Sequence, residues 1–282
     1  MIVMHPTLTK LIQYAKDHDF IEAVGTEGSI NNAKIHSDPW QDIDVTYFST
    51  DLQRFRFQDW WPKFGTPTIW QHFANNHLFG KATKPWNTYL VRFDHHQRID
   101  LKIAPLSDLP TYLRADSLNT IVWRRGQQVT PRQTSAKTHF IGIPTQSDFE
   151  NSLNEFYWTA GNVVKGLARH NLIYANETNN QTVRPQLLRM LAWRVSIKRK
   201  GQFDAGANYK FLANCLSNQQ QIDLFKTYRQ DTLAQTKASL LDEIQLMRVT
   251  LSSLSTLKTL QIPAYVSQAE SQLLSWLQEL PD

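Results

Sequence analysis

A change in patterning near residues 140 to 147 most limits how this chain can fold. Before it, short apolar stretches of period two alternate with helical stretches; after it, the sequence reads almost only as helix. That division predicts an α+β fold, with a mixed sheet and its helices over 1–140 and an all-helical domain over 147–282. Ile141-Gly142-Ile143-Pro144-Thr145, between the two, has linker composition. A chain of 282 residues, 41% of them hydrophobic, is long and apolar enough for two cores.

In the first half, Thr7 to Asp19 predicts a helix entered through Pro6, and Ile21 to Gly25 a short strand that runs into a turn at Gly28. Asp42 to Phe48 alternates Ile43, Val45 and Tyr47 against Asp42, Asp44 and Thr46, the period of a half-buried strand. Leu52 to Phe64 reads as a helix. Thr88 to Phe93 and Arg98 to Ile103 read as a hairpin around Asp94-His95-His96-Gln97. In the second half a helix opens at Ser147 and runs to about Arg169, with Asp148 and Glu150 in its first turn. Further helical patterns cover 182–200, 218–229, 232–257 and 264–280.

Charge and cysteine content exclude several classes. The formal net charge of +5 is modest, and its densest cluster, Lys198-Arg199-Lys200, reads as a solvated helix end, so no nucleic-acid partner is expected. Every apolar run is broken by charge, and the first twenty residues carry too many polar groups for a signal core; no membrane association is expected. A single cysteine, Cys215, cannot form an internal disulfide, which suits a reducing, cytoplasmic setting. The nine histidines include no pair at helical metal-ligand spacing, and His95-His96 read as exposed turn residues. Trp60, Trp61, Trp70 and Trp86 read as core and interface packing, and Cys215 as a small buried side chain.

Three carboxylates carry the candidate chemistry. Asp42 and Asp44, two apart on one strand, leave the same face roughly 6–7 Å apart at the backbone. Neighbouring carboxylates repel unless a cation sits between them, and hard oxygen ligands at this separation suit Mg²⁺. Asp100 alternates with Ile99 and Leu101, so it faces the polar side of a later strand and can complete a triad. Gly28-Ser29 stands before these, after a strand and before a short helix. Glycine lets backbone approach a phosphate, while the Ser29 hydroxyl and the amides of a helix start donate to anionic oxygens.

Gly-Ser, a gap of about a dozen residues, then Asp-hydrophobic-Asp resembles the signature of nucleotidyltransferases with the DNA polymerase β fold. Glu27-Gly28-Ser29, Gln41-Asp42-Ile43-Asp44, Arg98-Ile99-Asp100-Leu101, Asn154-Glu155-Phe156, Val163-Val164-Lys165-Gly166-Leu167, Leu187-Leu188-Arg189-Met190 and Asn208-Tyr209-Lys210-Phe211 together resemble the aminoglycoside 6-adenylyltransferases, the streptomycin-modifying branch, over nearly the whole chain. The resemblance implies ATP as co-substrate, two Mg²⁺ ions, attack of a substrate hydroxyl on the α-phosphorus and release of pyrophosphate. It implies Asp42 and Asp44 as metal ligands and Asp100 as a third ligand or as the base. Gly28, Ser29, Arg189, Lys210 and Tyr228 would hold the nucleotide. For Tyr228, a core tyrosine is an equal alternative.

The implied partner is a cationic aminoglycoside, streptomycin first, and a polycation calls for acidic contacts. Glu177, expected in a loop between two helices, and Glu155 match that need; each can also be a solvated surface acid. Ile30 stands where an arginine is frequent in the family, and Gln186 where the family has an acid. The positive net charge also attracts a cation less at long range. Two alternatives stay open: a different hydroxylated acceptor, or an inactive nucleotide- or RNA-binding relative, against which the three intact aspartates speak.

Overall fold

The computed structural model describes residues 5–73, 86–130, 132–257 and 260–281. The chain divides into two compact units, Met1–Thr138 and His139–Asp282. The first is sheet and helix, the second helical, so the α+β class stands.

Helix α1 (Pro6–Asp17) starts where His5 Nδ1 accepts from the Thr7 amide, with Pro6 in the first turn. Its Leu8, Leu11, Ile12 and Ala15 recur at helical spacing and are buried against the sheet. Strands β1 (Ile21–Thr26), β2 (Ile43–Ser49), β3 (Pro67–His72), β4 (Asn87–Phe93), β5 (Arg98–Pro105) and β6 (Thr120–Arg124) form a sheet of order β3-β4-β5-β2-β1-β6. All its neighbours are antiparallel except β2 and β5, which run parallel and pair Ile43 with Ile99, Asp44 with Asp100 and Val45 with Leu101.

That register gives the sheet two unlike faces. Ile43, Val45, Tyr47, Ile99, Leu101 and Ile103 point into the main core with α1, Phe55 and Trp60. On the other face Phe48 and Ala104 are capped by Leu109 and Tyr112 of α3 (Leu109–Ala115), and the Tyr112 hydroxyl donates to Thr26 O at 2.8 Å. One strand step after another from that cap, the same face carries Thr46 with Lys102 and then Asp44 with Asp100. An apolar lid thus closes one end of the face, and acidic groups occupy the other.

Leu52 to Phe64 is not the single helix its pattern predicts. It breaks into a 3₁₀ turn (Leu52–Arg54), one turn of helix α2 (Phe57–Trp60) and a second 3₁₀ turn (Trp61–Lys63). Phe55 and Arg56 are extended between them, which lets Phe55, Phe57, Trp60 and Phe64 all reach the sheet core. A straight helix would offer that core only one stripe. Strand β3 lies at the sheet edge with Ile69 64% and Trp70 53% exposed, so the expectation that Trp70 is packed inside fails there, while Trp60 is fully buried.

In the second unit α4 (Gln146–Ala168) begins one residue before the expected start at Ser147. Thr145 is its N-cap, in a reciprocal box with Asp148. Then come α5 (Leu172–Thr178), a π turn (Asn179–Val183), α6 (Arg184–Lys198), α7 (Asn218–Lys226), α8 (Leu233–Thr256) and α9 (Tyr265–Glu279). Phe149, Leu153, Phe156, Leu187, Met190 and Ile244 lie in one apolar core. The 141–145 segment is bound into this unit: the Ile141 amide donates to Phe203 O at 2.8 Å, and the Ser196 hydroxyl donates to Ile141 O. Cys215, in a 3₁₀ turn, is half-buried and not the fully buried side chain expected. Lys198-Arg199-Lys200 ends α6, as read. Among the described residues no helix is long and apolar enough to cross a membrane.

A charged pair lies inside this helical core. The Arg184 guanidinium meets the Glu243 carboxylate at 3.1 Å, with the Arg184 and Glu243 side chains 5% and 0% exposed. Arg184 also donates to Thr227 O, and Asn179 Nδ2 donates to Glu243 Oε1 at 3.1 Å. Burial raises the Glu243 carboxyl to about 7 despite the opposing field of Arg184.

Candidate active site

The acidic end of the sheet face is assembled by two strands and one turn. Asp44 lies within β2, Asp42 immediately before it, and the parallel pairing sets Asp100 directly beside Asp44. Asp42 is therefore a lead-in residue and not a strand residue, although it stays within reach of the same groups. Gly28 opens a 3₁₀ turn (Gly28–Asn31) with φ of +65°, in the left-handed region that favours glycine. A Cβ there would stand 2.9 Å from Asp44 Oδ2, so the turn packs directly on that carboxylate. Ser29 Oγ accepts from Gln41 Nε2 at 3.1 Å, which ties the turn to the residue ahead of Asp42.

Three charged side chains that sequence reasoning left unassigned complete the face. Arg98 Nε and NH2 grip the two oxygens of Asp100 at 2.8 and 2.7 Å, and its NH1 reaches Asp42 Oδ2 at 3.1 Å. Lys102 pairs with Glu27 Oε2 at 2.5 Å, and Thr46 Oγ1 donates to the other Glu27 oxygen. The signal was available: Arg98 and Lys102 stand two residues either side of Asp100, so on a strand they share its face. Ile30, the departure after Gly-Ser, packs on the main core, so its side chain is spent on packing.

Electrostatics single out Asp44. Its carboxyl is pushed up to about 6, first by desolvation, then by the nearby charges of Asp100 and Glu27, while Lys102 pulls the other way. A half-buried carboxylate among other carboxylates is a place where added positive charge is stabilising. The donors are hard oxygens, which fit a divalent ion such as Mg²⁺. Among the described residues, though, no three His, Cys, Asp or Glu side chains are gathered as a finished metal cage. The guanidinium of Arg98 supplies the positive charge at Asp42 and Asp100.

In the helical unit, Glu155 and Arg189 come together. They line an open cavity of about 370 Å³ with Asp148, Asn151, Gln186 and Trp193. Gln186 Oε1 accepts from Ser152 Oγ at 2.8 Å and from Arg189 NH1 at 3.0 Å, so the residue that departs from the family's acid orients the arginine. Asp148 is held below the usual carboxylate range by hydrogen bonds from Thr145.

The remaining candidates do not line this cavity. Glu177 is in helix α5 and not in a loop as expected; the π turn that follows continues the helical path, and Gln181 Nε2 donates to the Glu177 carboxylate at 2.7 Å. Lys210 follows a 3₁₀ turn and is exposed, its ammonium 5.1 Å from the Phe211 ring centre. Tyr228 is 55% exposed with the Arg184 guanidinium 4.3 Å from its ring centre, which rules out the core alternative. His95 and His96 are exposed in a turn with positive φ, as read, and the His96 ring also packs at 3.8 Å on Trp40.

Comparison with known proteins extends this picture. Residues 3–279 match the profile of the family described as streptomycin adenylyltransferase. An aminoglycoside 6-adenylyltransferase of Bacillus subtilis (strain 168) is 32% identical over 220 residues, covering 77% of this chain and 78% of that protein. Its namesake in Campylobacter jejuni is 32% identical over 258 residues, covering 90% and 89%. A crystal structure of an aminoglycoside 6-adenyltransferase from Bacillus subtilis aligns at 26% identity and a TM-score of 0.48, covering 95% of this chain and 96% of that one.

Proposed function

This chain belongs to the streptomycin adenylyltransferase family and is an adenylyltransferase; from that premise we propose that it moves AMP from ATP to a hydroxyl of an aminoglycoside, streptomycin first. Family membership implies ATP and a divalent metal. The observation that carries the assignment of the reaction is the pairing of Asp44 with Asp100 on parallel strands, beside the Gly28 turn that packs on Asp44.

In this reading Asp42, Asp44 and Asp100 hold Mg²⁺, two ions in the full assembly. The ions would neutralise charge on the phosphates and make the attacking hydroxyl easier to deprotonate. Gly28 and Ser29 receive phosphate oxygens at the turn. Asp100 would accept the hydroxyl proton when it is not fully engaged as a ligand. The oxygen–phosphorus bond forms at the α-phosphate as pyrophosphate leaves with the bonding electrons. Arg189, Lys210 and Tyr228 are assigned to the nucleotide. Glu155 and Glu177 are assigned to the cationic acceptor, whose ammonium or guanidinium groups suit carboxylates. A cytoplasmic location fits the need for ATP.

The experiment incubates the protein with ATP, Mg²⁺ and streptomycin and follows pyrophosphate release and the mass of the drug. The expected product is the mono-adenylylated drug, lost in Asp44→Asn. Glu155→Gln is expected to raise the streptomycin KM by about tenfold with a smaller change in kcat, the signature of a lost ground-state contact. Modification of another hydroxylated acceptor but not streptomycin would overturn the substrate, and no transfer to any acceptor would overturn the activity.

A further inference from the structure

The Arg98 guanidinium occupies the two carboxylates that flank Asp44. It uses both oxygens of Asp100 and one of Asp42, at 2.7 to 3.1 Å. Lys102, on the same face, is committed to Glu27. Asp42 and Asp100 are thus neutralised by a side chain of the protein itself, and no carboxylate cage is gathered among the described residues.

We propose that Arg98 is a positioning residue that acts as a resident counter-ion: it holds Asp42 and Asp100 until a divalent metal arrives, must release them for the metal to bind, and so sets the metal affinity of the site. This rests on the reading of Asp42, Asp44 and Asp100 as the metal ligands. Mg²⁺ demands near-ideal octahedral geometry, and a carboxylate gripped through both oxygens by a planar fork is not free to provide it. Two cations on the same carboxylates also repel each other at a few ångströms. Arg98 and the metal therefore compete. The structure provides room for the displaced side chain, because Arg98 also lines an open cavity of about 280 Å³ with Ile69, Leu90 and Arg92 on the neighbouring strands. Arg92 stands directly opposite Arg98 on β4, so a guanidinium moved there is best accommodated with an anion such as a phosphate between the two.

The test is direct metal binding without nucleotide. Mn²⁺ is titrated into wild-type protein, Arg98→Met, Arg98→Lys and Asp44→Asn, with free Mn²⁺ read by electron paramagnetic resonance and folding checked by circular dichroism. Arg98→Met is expected to bind Mn²⁺ about tenfold tighter than wild type, since no charge-assisted bidentate pair has to be broken. Arg98→Lys, a point charge without the fork, should fall between the two and carries the test if Arg98→Met does not fold. Asp44→Asn should lose binding. Equal or weaker binding by both Arg98 variants, with binding still abolished by Asp44→Asn, would overturn the role of Arg98 and leave the metal site standing. Mn²⁺ binding unaffected by Asp44→Asn would overturn the metal site, and the role of Arg98 with it.

Discussion

Replacing Asp44 by Asn should stabilise the metal-free protein, although it should also abolish the proposed reaction. The substitution keeps the side-chain shape and removes a charge that desolvation, Asp100 and Glu27 all disfavour. Raising a carboxyl from 3.8 to about 6 costs its ionised form about 3 kcal/mol, at 1.36 kcal/mol per pH unit. Partial solvent access and the new amide reduce the net gain to about 1–2 kcal/mol, worth roughly 3–6 °C in Tm for a unit of this size. The sign follows from linkage. The folded state holds the Asp44 proton more tightly than the unfolded state does, so the penalty is absent below about pH 4, grows towards pH 6 and is complete above it. Asp44→Asn should therefore melt higher than wild type in EDTA at pH 8, and that advantage should vanish near pH 4. Millimolar Mg²⁺ should raise the Tm of the wild type and leave the variant unmoved. Differential scanning calorimetry at both pH values reads this out. An Asn variant that melts at or below wild type at pH 8, or an advantage that persists at pH 4, would refute the reasoning.

Two further outcomes follow from local geometry. Gly28→Ala puts a methyl 2.9 Å from Asp44 Oδ2 at a left-handed φ, and should cost about 1–3 kcal/mol in urea denaturation and most of the adenylylation activity. Gly126→Ala, at φ of +63° with nothing within 4 Å of the new methyl, should cost about 1 kcal/mol and leave turnover intact; equal activity losses in the two variants would show that contact with Asp44 is irrelevant. Arg184→Met strands Glu243 in the helical core and should cost about 3 kcal/mol at pH 8. Arg184 is one of the groups that lower the Glu243 carboxyl, so its loss moves that carboxyl above the wild-type value of about 7. The cost should shrink as the pH falls towards 7, because the stranded acid escapes by taking up a proton before the wild-type acid does. Adding Glu243→Leu should restore most of the stability in equilibrium unfolding, and failure to do so would mean the loss is one of packing.

Sequence alone determined the local features whose signals are short in range. The period-two run at Ile43 to Tyr47 marks which side chains face the core, and the same alternation puts Asp44 and Asp100 on polar positions of their strands. Gly28 marks a turn by its conformational freedom, and the helical patterns of the second half fall close to α4 and to α6 through α9. Alternation says which face a residue takes, but not which strand lies beside it. Hence only the tertiary structure decided that β5 runs parallel to β2 with Asp100 beside Asp44, and that Arg98 grips Asp100 and Asp42 while Lys102 takes Glu27. The same reason broke 52–64 into turns, where four aromatic rings needed the core at once, and hid the exposed edge strand β3 and the Arg184–Glu243 pair. Those features depend on residues far apart in the chain, and packing and desolvation act on them only once the chain has brought them together.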